Sequence, residues 1–311
     1  MGEARPWARP GPTPNAQRPF TPTPFCVTIW SPAARIGHAA TLVPDRSPAL
    51  SIVIPTNNER DRLAKVVDVT CDVFARAGVP GELVIVDDNS PDGTGAIADS
   101  LKERYPVQVV HRPGKLGLGT AVIDGFNAAT APVMGVMDGD LSHPPDLLPA
   151  MLAALDATGS DFVIGSRYVP GGGTEHWSFG REFLSRLACV LARVVVPVHD
   201  ATSGFFLVRR EVVAGVQIGH GGFKVCLELL VRGHSTAVVE VPYVFRGREL
   251  GESKMNVIEA TGYLQQLYDL WRFRRHGGRR QRHTVLTAAA LERLTRQPQG
   301  EASVDQPSPP R

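Results

Sequence analysis

Apolar and polar positions along the chain follow two periods. Short apolar runs at Leu50–Pro55, Glu82–Val86, Val107–His111 and Val133–Met137 have the length and β-branched content of buried strands. Between them the spacing turns helical. Glu59 to Ala77 carries Leu63, Val66, Val67, Val69, Val73 and Phe74 on one side, and Gly93–Arg104 and Gly117–Ala129 read as further helices. This alternation predicts an α/β fold with a mostly parallel central sheet covered by helices on both faces. The second half is less regular. It reads as a strand at Asp161–Gly165, a glycine-rich loop at Ser166–Gly173 and a helix at Phe179–Val196. A strand at Gly204–Arg209, a helix near Val225–Arg232 and a Val-rich strand at Ala237–Phe245 follow. The polar loop Arg246–Lys254 then leads to an amphipathic helix, Asn256 to about Arg275.

The pattern stops at both ends. Residues 1–47 are rich in Pro, Ala, Arg and Thr and are expected to be a disordered Pro-rich extension, with Phe25–Trp30 as a stray strand or a misassigned start region. Residues 276–311 read as a basic and polar tail, largely disordered, with a short helix at Thr284–Thr295. One catalytic-sized domain, 48–275, lies between them.

Polar chemistry gathers where the apolar runs end. Asn57, Asn58 and Glu59 follow the first run, Asp87 and Asp88 end the second, and Asp138-Gly139-Asp140-Leu141-Ser142-His143 follows the fourth. Open α/β sheets bind ligands at the carboxyl ends of their strands, so neighbouring strands would bring these groups to one edge. Two carboxylates on a short turn suit a hard divalent cation that takes its remaining ligands from water and phosphates. The competing reading is a polar loop whose Asp residues cap the helix starting near Pro144. Gly139 permits close backbone approach and unusual φ/ψ. Arg167, Arg181, Arg248 and Lys254 are candidate phosphate clamps, since Arg pairs bidentately with phosphate oxygens. A solvated surface charge is the commoner fate of such a residue, but Arg167 and Lys254 sit in Gly- and Ser-rich loops after strands. Gly114–Thr120 matches neither GxxxxGK[ST] nor GxGxxG and reads as the turn starting a helix at Gly117, with Lys115 directed to a phosphate or to solvent. His111, His143 and His199 read as structural, and no Ser/His/Asp or Cys/His constellation can be argued from spacing.

Composition narrows the partners. A formal net charge of +2 gives no nucleic-acid footprint. Cys26, Cys71, Cys189 and Cys226 are scattered without metal spacing and read as reduced thiols of a cytosolic compartment. No convincing secretory signal is found, and the longest apolar stretch, Leu187–Val198, is broken by Arg193 and Pro197, too short to span a membrane. The helix Phe179–Val196 has two readings. Its pattern alone favours a buried helix with a basic edge over an interfacial helix with its apolar face in lipid. The last helix, with Tyr263, Leu264, Leu267, Tyr268, Leu270, Trp271 and Phe273 beside Arg272, Arg274 and Arg275, raises the interfacial reading.

Seven motifs in order carry a resemblance. Val53-Ile54-Pro55-Thr56-Asn57-Asn58-Glu59, Val86-Asp87-Asp88-Asn89-Ser90-Pro91-Asp92-Gly93-Thr94 and Gly114-Lys115-Leu116-Gly117-Leu118-Gly119 come first. Met137-Asp138-Gly139-Asp140-Leu141-Ser142-His143-Pro144-Pro145, Gly165-Ser166-Arg167-Tyr168, Ser203-Gly204-Phe205-Phe206 and Gly251-Glu252-Ser253-Lys254 follow. Together, over about Ser51 to Lys254, they resemble the dolichol-phosphate (polyprenol-phosphate) mannosyltransferases of glycosyltransferase family 2, which have a GT-A fold. The resemblance implies inverting, metal-dependent transfer of mannose from GDP-mannose to a polyprenyl phosphate. The same fold using UDP-glucose or another nucleotide sugar is the alternative, and a non-catalytic nucleotide-sugar or lipid-binding protein a more distant one.

The resemblance also implies roles. Pro55, Asn57, Glu59 and Asp88 would bind the donor nucleoside. Asp138 and Asp140, with Gly139 between them and Ser142 completing the shell, would hold Mg²⁺ or Mn²⁺ with the donor diphosphate. Arg248 and Lys254 would contact donor phosphates, and Arg167, Arg181 and Ser185 the lipid phosphate. Asp140 and Arg167 would carry the catalysis. Three positions depart from the usual pattern: Asn57 stands where Tyr is frequent, Gly139 where Ala is commoner and Ser142 where some members have Gln. With no carboxy-terminal spans, the expected location is the cytoplasmic face of a membrane, bound peripherally or through a separate anchoring protein.

Overall fold

The computed structural model describes residues 47–218, 224–247, 257–276 and 281–296, all within the unit Asp45–Arg311. The strands are β1 (Leu50–Thr56), β2 (Gly81–Asp87), β3 (Val107–His111), β4 (Val133–Val136), β5 (Phe162–Ser166), β6 (Gly173–Glu175), β7 (Phe206–Arg209), β8 (Ala237–Pro242), β9 (Val244–Arg246) and β10 (Arg282–Val285). The helices are α1 (Arg60–Ala77), α2 (Thr94–Leu101), α3 (Leu118–Ala128), α4 (Leu148–Ala157), α5 (Phe179–Ala192), α6 (Arg210–Val213), α7 (Val225–Arg232), α8 (Val257–Arg275) and α9 (Ala288–Arg296).

One sheet has the order β10-β8-β5-β7-β4-β1-β2-β3. Every pair in it is parallel except those made by β7, which runs antiparallel between β4 and β5. The strands are buried on both faces, as apolar runs of this kind require. Side chains alternate between two cores. Ile52 and Ile54 of β1 join Leu63, Val66 and Phe74 of α1, with α2, α4 and Leu291 of α9 on the same side. Val53 faces the other way, toward Phe126 of α3, Leu227 of α7 and Leu270 of α8. A two-stranded ribbon, β6 with β9, stands apart from the main sheet.

Residues 281–296, read from the sequence as part of the polar tail, add a strand and a helix to the body. Arg282–Val285 pairs with Ala237–Glu240, and α9 packs on α4. The strand escapes sequence reading because Arg282 and His283 break any apolar run. The expected extension 1–47, except Ser47, and the loop carrying Arg248 and Lys254 lie outside the described residues. No described helix is long and apolar enough to cross a membrane.

Candidate active site

The chain leaves β1 in one direction to build β2 and β3, and in the other to place β4, so the order reverses between β1 and β4. Crevices at such reversals are where open sheets take ligands. The register explains the opening. β4 pairs with β1 only as far as Val53–Val136, while β1 continues to Thr56. Pro55 has no N–H to offer β4, so the strands part there. Neighbouring ends of β4, β1 and β2 then bring Asp138, Asn57 with Glu59, and Asp88 to one edge, as the sequence predicts.

The turn after β4 is tightly held. The Asp138 N–H donates to His143 Nδ1 at 3.1 Å, and Asp140 Oδ1 accepts the Ser142 N–H at 3.0 Å. The left-handed residue of the turn is Leu141, at φ 63°, and not Gly139. Gly139 matters by proximity instead: a Cβ there would sit 3.3 Å from Ile54 Cγ2 and 3.9 Å from Glu59 Cγ. His143 is buried, stacks on Phe205 at 5.0 Å between ring centres and meets Phe245 edge-on at 5.6 Å. Burial lowers its pKa, against the pull of Asp138 and Asp140. Because Nδ1 accepts a backbone hydrogen, the ring is the neutral Nε2–H tautomer. His143 therefore braces the turn rather than ligating through Nδ1.

Ser142 Oγ is buried and has no hydrogen-bond partner among the described residues. A buried orphan hydroxyl beside two carboxylates, with the Asp138 side chain 44% exposed, is a donor set that fits a hard divalent cation. The Arg246 N–H of β9 donates to Ser142 O at 3.2 Å, so the strand that feeds the Arg248 loop is tied to this turn.

Asn58, at φ 61°, turns the chain out of β1, and its N–H donates to Ser90 Oγ at 3.1 Å. The Glu59 N–H donates to Thr94 Oγ1 at 3.0 Å. Asp88 is in a short ion pair with Arg112, whose side chain is 2% exposed. Arg112 also reaches Asp124 at 2.9 Å, Gly117 O and Thr120 Oγ1. It thereby fixes the Gly114–Gly119 loop against the end of β2. Sequence reading misses Arg112, although its place directly after β3 on the same sheet edge was a usable signal.

Arg167 is not the open clamp its loop suggested. It is buried, donating from Nε and Nη2 to Asp200 at 2.7 Å each and from Nη2 to Thr202 Oγ1 at 3.0 Å. Burial alone would lower its pKa, but the Asp200 charge holds it above the ordinary value. Trp177 lies between Arg167 and Arg181, with guanidinium carbons 5.4 and 4.1 Å from its ring. Arg181 and Ser185 are one turn apart on α5, and Ser185 faces the Tyr168 side chain. Asp200 is missed from sequence because nothing in its spacing links it to residue 167.

The buried reading of α5 is overturned. Only Cys189 and Ala192 of this helix are buried, while Phe179 is 85% and Phe183 57% exposed. Leu187, Val190 and, just past its end, Val194 continue the exposed row. α8 divides its apolar residues. Tyr263 and Leu270 join the core, and Leu264, Tyr268 and Phe273 stay exposed. Tyr263 Oη donates to Ala188 O at 2.7 Å, which docks α8 beside α5.

The profile of Glycosyl transferase family 2 matches residues 51–216. A dolichol-phosphate mannosyltransferase of Pyrococcus furiosus is 42% identical over 228 residues, 72% of this chain and 64% of that protein. This chain thus spans a little under two thirds of that relative. A polyprenol monophosphomannose synthase of Mycolicibacterium smegmatis is 40% identical over 217 residues, 66% of this chain and 80% of its own. Among solved structures, mannosyl-3-phosphoglycerate synthase from Rubrobacter xylanophilus superposes with a TM-score of 0.52 at 18% identity, covering 74% of this chain and 75% of that one. At that identity the likeness shows the shared fold alone.

Proposed function

The chain belongs to glycosyltransferase family 2, and from that premise we propose that it transfers mannose from GDP-mannose to a polyprenyl (dolichyl) phosphate with inversion at the sugar carbon. The observation that carries the acceptor is α5: Arg181 and Ser185 share the side of the helix that holds buried Cys189 and Ala192, while Phe183, Leu187 and Val190 stay exposed on the opposite side. A phosphate head held at Arg181 and Ser185 would sit beside a helix whose outer face offers apolar side chains to a lipid surface. The names of the relatives from Pyrococcus and Mycolicibacterium support the same sugar and the same lipid class.

The chemistry asks little of a base. A phosphate monoester is already anionic near neutral pH, so catalysis reduces to aligning two phosphorylated substrates and stabilising a departing diphosphate. Pro55, Asn57, Glu59 and Asp88 hold the nucleoside at the edge of β1 and β2. Asp138, Asp140 and Ser142 hold Mg²⁺ or Mn²⁺, which supplies positive charge to the diphosphate leaving group. Arg248 and Lys254 contact donor phosphates. Arg167, kept rigid by Asp200, places a fixed cation near the acceptor phosphate, with Arg181 and Ser185 completing its cradle. The enzyme works peripherally at the cytoplasmic face of a membrane, through its own apolar helices or with a separate anchoring protein.

The test incubates purified protein with Mn²⁺, a short polyprenyl phosphate and, separately, GDP-mannose, UDP-glucose and UDP-N-acetylglucosamine, and follows lipid-linked sugar. Product with GDP-mannose alone supports donor and acceptor together. Product only with a UDP-sugar replaces the donor, and absence of lipid product with every donor overturns the acceptor.

A further inference from the structure

Glu240 of β8 is fully buried, and two histidines distant in sequence converge on it. His199 Nδ1 lies 2.8 Å from Glu240 Oε2, and His283 Nε2 of β10 lies 2.7 Å from the same oxygen. The His199 N–H also points at Oε2, at 2.8 Å. Three nitrogens thus crowd one carboxylate oxygen, two of them imidazole nitrogens whose donor or acceptor role depends on the tautomer. In the tautomers that turn lone pairs rather than hydrogens inward, both imidazoles and the carboxylate converge on one point with donor atoms for a shared cation. The three side-chain atoms lie within 4.8 Å of one another. The second oxygen, Oε1, accepts the Asp200 N–H at 3.0 Å, which fixes the carboxylate plane as the outer partners of metal ligands do.

We propose that His199, Glu240 and His283 bind one divalent transition-metal ion of the zinc class, with the fourth coordination position open to solvent. Two imidazoles and one carboxylate make a borderline donor set that favours Zn²⁺ over Mg²⁺. The Asp138 turn, with oxygen donors only, has the opposite preference. The His199 side chain is 37% exposed and that of His283 17%, which gives the ion a path in. The site ties the last strand of the sheet to β8 and to the segment following α5. It also sits one residue from Asp200, the anchor of Arg167, so occupancy steadies that pair.

The test strips the full-length protein with a chelator and titrates it with Zn²⁺ in excess Mg²⁺, which keeps the Asp138 turn loaded. The expected result is one Zn²⁺ per chain, a raised melting midpoint and a zinc X-ray absorption spectrum with imidazole scattering at about 2.0–2.1 Å. Loss of even an outer partner of a ligand costs about 10–100-fold in affinity, so His199→Gln and His283→Gln should each weaken binding by more than about 100-fold. His199 is partly exposed, which makes His199→Gln the variant that keeps the fold if His283→Gln does not. Absence of tight zinc binding overturns the proposal, as does equal binding by wild type and His199→Gln. An all-oxygen shell in the absorption spectrum also overturns it.

Discussion

Asp200 meets the Arg167 guanidinium with both carboxylate oxygens, at 2.7 Å each, and neither side chain is more than 8% exposed. Breaking such a pair from one side leaves a buried charge without compensation, at a cost of about 3–5 kcal/mol. Arg167→Ala is therefore expected to destabilise the fold as well as raise the lipid-phosphate requirement. Arg167→Lys keeps the charge but loses the fork. It should retain most of the stability in urea unfolding and raise KM for polyprenyl phosphate well above any change in KM for the nucleotide sugar. A larger rise in the nucleotide-sugar KM would move Arg167 to the donor side.

Asp140→Asn tests the metal turn. The substitution keeps shape and the acceptor for the Ser142 N–H while removing charge. Turnover should fall by at least about 10²–10³-fold, the scale of losing one group that stabilises developing charge, with the melting midpoint little changed. Ser142→Ala removes only the orphan hydroxyl. It should raise the Mn²⁺ concentration needed for half-maximal activity, with kcat at saturating metal close to that of wild type.

Glu82 sets a pH dependence of stability at the opposite end of the sheet. Its carboxylate accepts from Ser51 Oγ at 2.6 Å, the Thr130 N–H at 2.6 Å, Thr130 Oγ1 at 2.8 Å and Gln108 Nε2 at 2.9 Å. Burial pushes its pKa up, but these bonds outweigh burial and hold it below the ordinary carboxylate value. The unfolded chain then binds the proton more readily. The contribution is present above the unfolded value of about 4.3 and is lost as pH falls through the lower folded value. Urea unfolding across acid pH should show this loss. Glu82→Gln should lower stability at pH 7 by about 1–3 kcal/mol and flatten the acid limb; an unchanged limb would assign it to other carboxylates.

The first half of the fold was legible because its signals are local. Apolar runs of strand length alternate with helical spacing from Leu50 to Met137, and three of the four runs end in Asn, Asp or Glu. The Asp138–Ser142 turn could be placed at a sheet edge for the same reason. The hidden features depend on contacts between distant segments. Asp200 meets Arg167 across 33 residues and His283 meets Glu240 across 43. α5 misleads for a different reason. Its apolar positions form a stripe wide enough for a core helix, and periodicity records amphipathicity without saying whether protein or lipid covers the apolar side.

That ambiguity becomes an experiment. If the exposed row of α5 enters a lipid surface, Phe183 and Leu187, 57% and 42% exposed, lose that exposure there. Full burial of such a side chain is worth about 1.5–3 kcal/mol, and about half of it remains available to each. Phe183→Ser with Leu187→Ser should lower partitioning onto anionic vesicles by about 10- to 150-fold in sedimentation. Nucleotide-sugar binding should be unaffected. Unchanged partitioning would shift membrane attachment to a separate anchoring protein.

Arg112 supplies a test of the donor side that does not touch the metal turn. It is buried between Asp88 and Asp124 and bonds the loop that begins α3. The helix starts at Gly117, whose φ of 99° suits glycine, so backbone alone leaves this loop weakly determined. The Arg112 fork closes it against β2 and aims the Asp88 carboxylate. Arg112→Lys preserves one positive charge but cannot reach Asp88, Asp124 and Thr120 together. KM for the nucleotide sugar should rise by at least about tenfold, the loss of one charged hydrogen bond. KM for the polyprenyl phosphate and kcat should change little. Equal rises in both KM values would show that Arg112 maintains the whole crevice, and an unchanged donor KM would remove Asp88 from nucleoside binding.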